Sequence, residues 1–293
     1  MSFHKVLEIR EHAGPVYTVA CGHGFIYSGS GDKFVTRWNL ETGKQDAFAI
    51  KFEHSVYTIE VVNNLLFVGL NNGSLHIFDV ESRKELKHYT QHQDAIFKIA
   101  HNPKLNHVYV GDAEGNFSVW NDSTLEQVIY FPLNCGKIRE IAINSEGDLF
   151  SLSCQDGTIR IFESKNFNEI TTLNGHEGGS TAATFLRNDN KHLVTGGKDA
   201  RIKFWDYSTE VELKNIPAHN FAVYRLAQID ETLLVSVSRD KTIKIWNDEL
   251  KVIKRLDARE GGHSHSVNDL AIIDKNRFAT CSDDRRVIVW GRD

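Results

Sequence analysis

Seven times along the chain an aromatic residue closes a short run of apolar and β-branched residues: Trp38, Phe78, Trp120, Phe162, Trp205, Trp246 and Trp290. The successive spacings are 40, 42, 42, 43, 41 and 44 residues. A period of about 40–45 residues is the length of a four-stranded unit in a radial repeat, which buries its apolar faces only against its neighbours. The runs themselves alternate on a period of two, as in Phe34-Val35-Thr36-Arg37-Trp38 and Thr242-Ile243-Lys244-Ile245-Trp246. Half-buried strands require that alternation. Polar turns precede several of them, at Asn72-Gly73, Glu114-Gly115 and Asp156-Gly157, where glycine accepts the positive φ of a tight hairpin.

Other positions keep the same frame. Six residues before each aromatic stand Asp32, Asn72, Glu114, Asp156, Asp199, Asp240 and Asp284. Ten before stand Ser28, Val68, Val110, Leu152, Thr195, Ser236 and Thr280. Four before the first strand of each unit stand His12, Phe52, His92, Asn134, His176, His219 and His263. With these aligned positions the chain resembles the WD40 repeat family over essentially its whole length. The resemblance implies an all-β, seven-bladed β-propeller of four-stranded antiparallel blades. It also implies a buried hydrogen-bonded tetrad of His, Ser/Thr, Asp and Trp within a blade. Four blades carry all four groups: His12/Ser28/Asp32/Trp38, His176/Thr195/Asp199/Trp205, His219/Ser236/Asp240/Trp246 and His263/Thr280/Asp284/Trp290. Blades two, three and four replace the hydroxyl with Val68, Val110 and Leu152, so their inter-strand turns are expected to be less rigid.

The last aromatic leaves room for only three strands in blade seven. The segment Lys5–Arg10 has strand character and resembles the family's closing strand; pairing it there covers an open sheet edge. With four prolines and no low-complexity linker, residues 1–293 read as one WD40 propeller domain.

Several function classes are disfavoured by what is missing. The 34 basic and 39 acidic residues give a net charge of −5, a poor balance for nonspecific nucleic-acid binding. No apolar run reaches membrane-span length, and the first residues hold no signal-peptide core, so a cytoplasmic location is expected. Cys21, Cys135, Cys154 and Cys281 are far apart and read as reduced thiols. The Ser/Thr, His and Asp of a tetrad are also the ingredients of a nucleophilic triad. Their fourfold recurrence and the absence of a G-x-S-x-G elbow favour a structural role. Asp283-Asp284 is absorbed by the repeat, and no P-loop or dinucleotide fingerprint calls for a cofactor. His263 and His265 lack further ligands nearby in sequence, so no metal is expected.

The resemblance points to the face around the central channel as a peptide site. The position just after the first apolar residue of each innermost strand carries Tyr17, Tyr57, Phe97, Arg139, Thr181, Tyr224 and Asn268. Four aromatics and an arginine are favoured interface anchors. Lys137, Lys198 and Arg239 extend Arg139 into a basic sector over blades four to six. The expectation is therefore a non-catalytic scaffold or adaptor, monomeric within a larger complex. It would bind a protein or peptide segment with acidic and apolar residues. The alternative is a propeller hydrolase or lyase working at the channel mouth. The loop from Asp257 to Ser266 is the longest between predicted strands and reads as a flap over this face or a plain insertion.

Overall fold

In this computed structural model residues 3–187, 189 and 191–292 are described. They form seven four-stranded antiparallel sheets around one axis. Blade one runs from the axis outward as Val16–Gly22, Phe25–Ser30, Phe34–Asn39 and Gln45–Lys51. Blades two to six repeat that order, innermost strand first. Blade seven has Val267–Asp274, Arg277–Ser282 and Val287–Arg292, and its outer strand is Phe3–Ile9 from the other end of the chain. This pairing is antiparallel, from Phe3 opposite Arg292 to Ile9 opposite Val287. It buries Phe3 and Ile9 and joins the ring as expected.

Burial peaks at the second strand of a blade and falls toward the outer one. The second strand of blade six, Leu233–Ser238, is buried at every residue, whereas the outer strand of blade five, Val211–Pro217, is exposed almost throughout. Second strands lie between sheets that pack on both faces, so they read as nearly continuous apolar runs. At Gly69 the next blade comes so close that a Cβ would lie 2.6 Å from Ile96 Cγ2, with Thr58 Cγ2 of its own blade at 2.7 Å. Glycine there lets blade three dock on blade two.

A belt of polar contacts around the channel ties blade to blade. Thr18 Oγ1 donates to Asp269 of blade seven at 3.0 Å and accepts from the Ile59 amide of blade two at 3.2 Å. Thr58 likewise accepts from the Ile99 amide of blade three at 3.3 Å. Lys98 of blade three pairs with Glu140 of blade four at 2.9 Å. Blade five has Ala182 at this level, and Arg225 of blade six reaches past it. Its guanidinium lies 2.9 Å from Asp269 and 3.5 Å from Glu140, and it donates to the Arg139 carbonyl at 3.1 Å.

Within the blades the polar sets are hydrogen-bonded. In blade one His12 Nδ1 lies 2.8 Å from Asp32, His12 Nε2 lies 2.8 Å from Ser28 Oγ, and Trp38 Nε1 donates to Ser28 at 3.0 Å. The sets of blades five, six and seven have the same bonds: His176 with Asp199 and Thr195, His219 with Asp240 and Ser236, His263 with Asp284 and Thr280. Trp205, Trp246 and Trp290 each donate to the hydroxyl of their blade. Each bond contributes about 1 kcal/mol net, and orphaning one partner costs about 1–3 kcal/mol. Burial works to raise the Asp240 and Asp284 carboxyls, but hydrogen bonds led by His219 and His263 outweigh it and hold both well below the usual range. Burial also pushes the His219 and His263 imidazoles down, against the pull of those carboxylates.

Blade three corrects the sequence reading. Val110 does remove the expected hydroxyl, but the residue directly across the ladder from it is Ser118. Ser118 Oγ lies 2.8 Å from His92 Nε2 and accepts from Trp120 Nε1 at 2.8 Å. Asp112, two residues before Glu114, takes the carboxylate place at 2.8 Å from His92 Nδ1. A fifth complete set thus exists, assembled from cross-strand neighbours on one face of the sheet. Blade two replaces its set by aromatic packing, with Phe52 edge-on to Phe78 at 5.8 Å. Blade four packs its closing aromatic on another ring, with Phe162 stacked on Phe150 at 5.1 Å, and Asp156 caps its turn through Thr158 and bonds Arg160.

Candidate functional site at the channel mouth

Every innermost strand breaks register between its first and third residues, from Val16/Thr18 in blade one to Val267/Asp269 in blade seven. The residue inside each break is Tyr17, Tyr57, Phe97, Arg139, Thr181, Tyr224 or Asn268. A β-bulge leaves one residue out of the ladder and re-aims its side chain. Sevenfold repetition of that bulge explains why residues about forty positions apart converge on one opening.

Six of the seven line a cavity of about 280 Å³ at the axis: Tyr17, Tyr57, Phe97, Arg139, Tyr224 and Asn268, joined by Arg225 and Asp283. Tyr17 meets Tyr57 edge-on at 5.2 Å, and Tyr57 leans on Phe97 at 5.5 Å. The aromatics are half-buried, with one side packed and the other facing the cavity. Thr181 behaves differently. It is buried, and its hydroxyl donates to the Val223 and Gly196 carbonyls, serving the blade five–six junction. Asn268 donates to the Val16 carbonyl at 2.9 Å and to Asp283 at 2.8 Å.

Arg139 differs from the other charged groups of the site: among the described residues its side chain has no counter-ion and no hydrogen bond, whereas Asp283 accepts from Asn268. Its guanidinium sits 4.5 Å from the Phe97 ring centre and has no hydrogen-bond or ion-pair partner among the described residues. Burial, reinforced by Arg225, pushes it down to about 10, so it remains a cation at neutral pH. A buried charge is normally paired. Arg225 differs in this respect, because Asp269 and Glu140 hold it in the belt below. Deeper still, Glu60 projects from blade two with no hydrogen-bond or ion-pair partner among the described residues. Burial pushes its carboxyl up to about 7; Lys98 opposes this, while Asp269 and Glu140 add to it.

The remaining basic residues do not line the cavity. Lys137 lies 5.3 Å from the Phe97 ring centre, while Lys198 and Arg239 are exposed on the surface around it. Beside Arg239 is Phe221, 57% exposed, with the guanidinium 5.8 Å from its ring centre. Sequence reasoning missed Phe221 because it lies in the loop before the blade six strand, outside the repeat positions. Asp283 was absorbed into a turn, and Arg225 stands one place beyond the ring position. The Asp257–Ser266 loop is drawn in rather than standing free. Ala258–Glu260 form a 3-10 turn capped by Asp257, and Arg286 donates to the Gly262 carbonyl at 2.7 Å.

Comparison with known proteins bears on the whole arrangement. A family profile described as LRRK2 beta propeller matches residues 16–169. The profile described as WD domain, G-beta repeat matches residues 167–206, 210–247 and 252–291. The chain belongs to the WD40-repeat β-propellers. The WD40 repeat matches fall on blades five to seven, where the His–hydroxyl–Asp–Trp sets occupy their expected positions. The guanine nucleotide-binding protein subunit beta of Solanum tuberosum is 23% identical over 208 residues, 66% of this chain and 55% of that protein. Subunit beta-1 of Nicotiana tabacum is 24% identical with the same coverage. Kinesin-like protein KIF21B of Mus musculus is 25% identical over 256 residues, 84% of this chain but 14% of its own length. The chain spans about half the length of the plant relatives it matches.

In this WD40 propeller the tetrad hydroxyls of Ser28, Thr195, Ser236 and Thr280 are fully buried, out of reach of a substrate. Propellers of the family typically act as interaction scaffolds. No helix among the described residues is long and apolar enough to cross a membrane.

Proposed function

We propose that this propeller is a non-catalytic interaction scaffold that captures a peptide or protein segment at the channel mouth. The single observation that carries the reading is Arg139: a half-buried cation, unpaired among the described residues, inside an aromatic-lined cavity. A carboxylate from a partner supplies the missing counter-ion, and apolar side chains fill the space between Tyr17, Tyr57, Phe97 and Tyr224. Charge-assisted bonds to a guanidinium in such a setting are among the stronger polar contacts, and buried aromatics with arginine dominate many interfaces. Phe221 and Arg239 extend the surface outward, with Lys137 and Lys198 on its basic side. Residues 1–293 act in this reading as one domain, monomeric within a larger complex. Four unbridged cysteines suit a reducing compartment such as the cytoplasm.

The test is affinity capture from the native cell with the wild-type chain and with Tyr57→Ala, Phe97→Ala and Tyr224→Ala combined. The triple variant is expected to keep its circular dichroism and lose the captured partners. Undiminished capture of the same partners by the folded triple variant overturns the site.

A further inference from the structure

The second blade, which has Phe52 where other blades place histidine, carries two histidines at its outer edge instead. His76 lies on the third strand, Leu75–Asp79, and His88 on the outer strand, Glu85–Tyr89. They are direct cross-strand partners, so both imidazoles stand on one face of the sheet. A register break between Ile77 and Phe78 brings Glu85 to the same place. The two rings stack with centres 4.2 Å apart and planes 10° from parallel. His76 Nδ1 lies 2.6 Å from Glu85 Oε1. An ionised carboxylate only accepts, so without a metal that contact puts the ring proton on Nδ1. Donor atoms of all three residues lie within 4.8 Å of one another, on a solvent-open cleft of about 500 Å³.

Phe52 and Phe78 close the blade's interior and His76 packs against Phe52 at 5.2 Å, whereas Glu85 and His88 are exposed. Two imidazoles and a carboxylate are the donor set of a borderline divalent transition metal, whereas magnesium and calcium take oxygen ligands. We infer that His76, His88 and Glu85 form a surface site for a zinc-class ion on the rim of blade two, separate from the channel mouth. Zinc holds imidazole nitrogens at about 2.0–2.1 Å, which sets ligand atoms about 3.3 Å apart in a tetrahedron. Stacked rings direct their lone pairs side by side, so His88, which is exposed, turns out of the stack to converge on the ion. The ion takes the place of the proton between His76 Nδ1 and Glu85 Oε1, which move apart to bind it while the ring proton shifts to Nε2. The remaining coordination position faces the cleft.

Calorimetric titration of the chelator-treated full chain with Zn²⁺ at pH 7.5 tests this. One equivalent is expected to bind, with His88→Ala weakening the affinity by about tenfold or more while leaving the metal-free melting temperature unchanged. Co²⁺ is expected to give a visible ligand-field absorption that the same variant loses. Affinity is also expected to fall at pH 5.5, where protons compete for the imidazoles. No Zn²⁺ binding by the wild-type chain overturns the inference, and so does equal binding by His88→Ala, which would put the ion on other histidines. Neither result touches the reading of the channel mouth.

Discussion

Ser118 and Glu60 show how single residues decide local energetics here. Ser118 Oγ serves both His92 and Trp120 in a fully buried setting. Ser118→Ala orphans both groups, and the expected loss is about 2–4 kcal/mol, read by chemical denaturation. A loss below about 0.5 kcal/mol, the range of neutral surface changes, would mean that blade three does not rely on the rewired set. Glu60 works in the opposite sense. Its folded pKa of about 7 lies above the ordinary carboxyl value of 4.5, so the folded state holds the proton more tightly than the unfolded chain. Its contribution is favourable below about pH 4.5 and is lost as pH rises through 7. The surrounding charges, Lys98, Asp269 and Glu140, all face it from the channel wall. Glu60→Gln is therefore expected to raise the melting temperature at pH 8 by about 2–4 °C and to change it little at pH 4.5. Equal shifts at both pH values would mean that the carboxyl titrates as it does in water.

Among elements, the strand Phe3–Ile9 has the greatest leverage. Without it the strand Val287–Arg292 becomes an open edge, and the Phe278 ring, 5.7 Å from Phe3, loses its cover. Removal of residues 1–10 is expected to lower the melting temperature by several degrees and to increase light scattering, since unpaired edges template aggregation. An unchanged midpoint would mean that the ring closes without this strand. Both the strand and its partner were readable in sequence, because the blade count left one sheet a strand short. The innermost strands teach a different lesson. Their ring positions were legible as a repeat column, but the bulge that turns them into the channel mouth is a matter of register. Thr181 occupies the same column and bonds inward instead, because its short hydroxyl reaches the Val223 and Gly196 carbonyls.

For the whole molecule, binding at the mouth and its salt dependence are the properties to measure. The net charge is −5, while Lys137, Arg139, Lys198 and Arg239 are the basic residues proposed to flank the mouth on blades four to six. Exposed charges such as Lys198 and Arg239 act through solvent and are screened within about 8–10 Å at physiological salt. Partner association is therefore expected to slow as salt rises from 50 to 500 mM, with the dissociation rate changing less, since steering acts on encounter. Surface plasmon resonance with a captured partner measures both. An association rate that ignores salt would argue against the basic sector, leaving the aromatic contacts as the main source of binding.

The sequence alone determined the number of blades, the order of strands within them, the closing strand and the column of residues at the mouth. All of these follow from a period of about forty residues and from alternation within each strand, which are local properties of the chain. Tertiary structure alone decided which groups meet across that frame. Ser118 stands in for Val110 because antiparallel pairing sets them opposite each other. Arg225 reaches past blade five to Glu140 because the ring curves, and Arg139 has no counter-ion among the described residues because Asp269 and Glu140 are already engaged below it. His76, His88 and Glu85 come together because cross-strand register and a bulge gather them on one face. Distances through space fix such contacts, and spacing along the chain does not encode them.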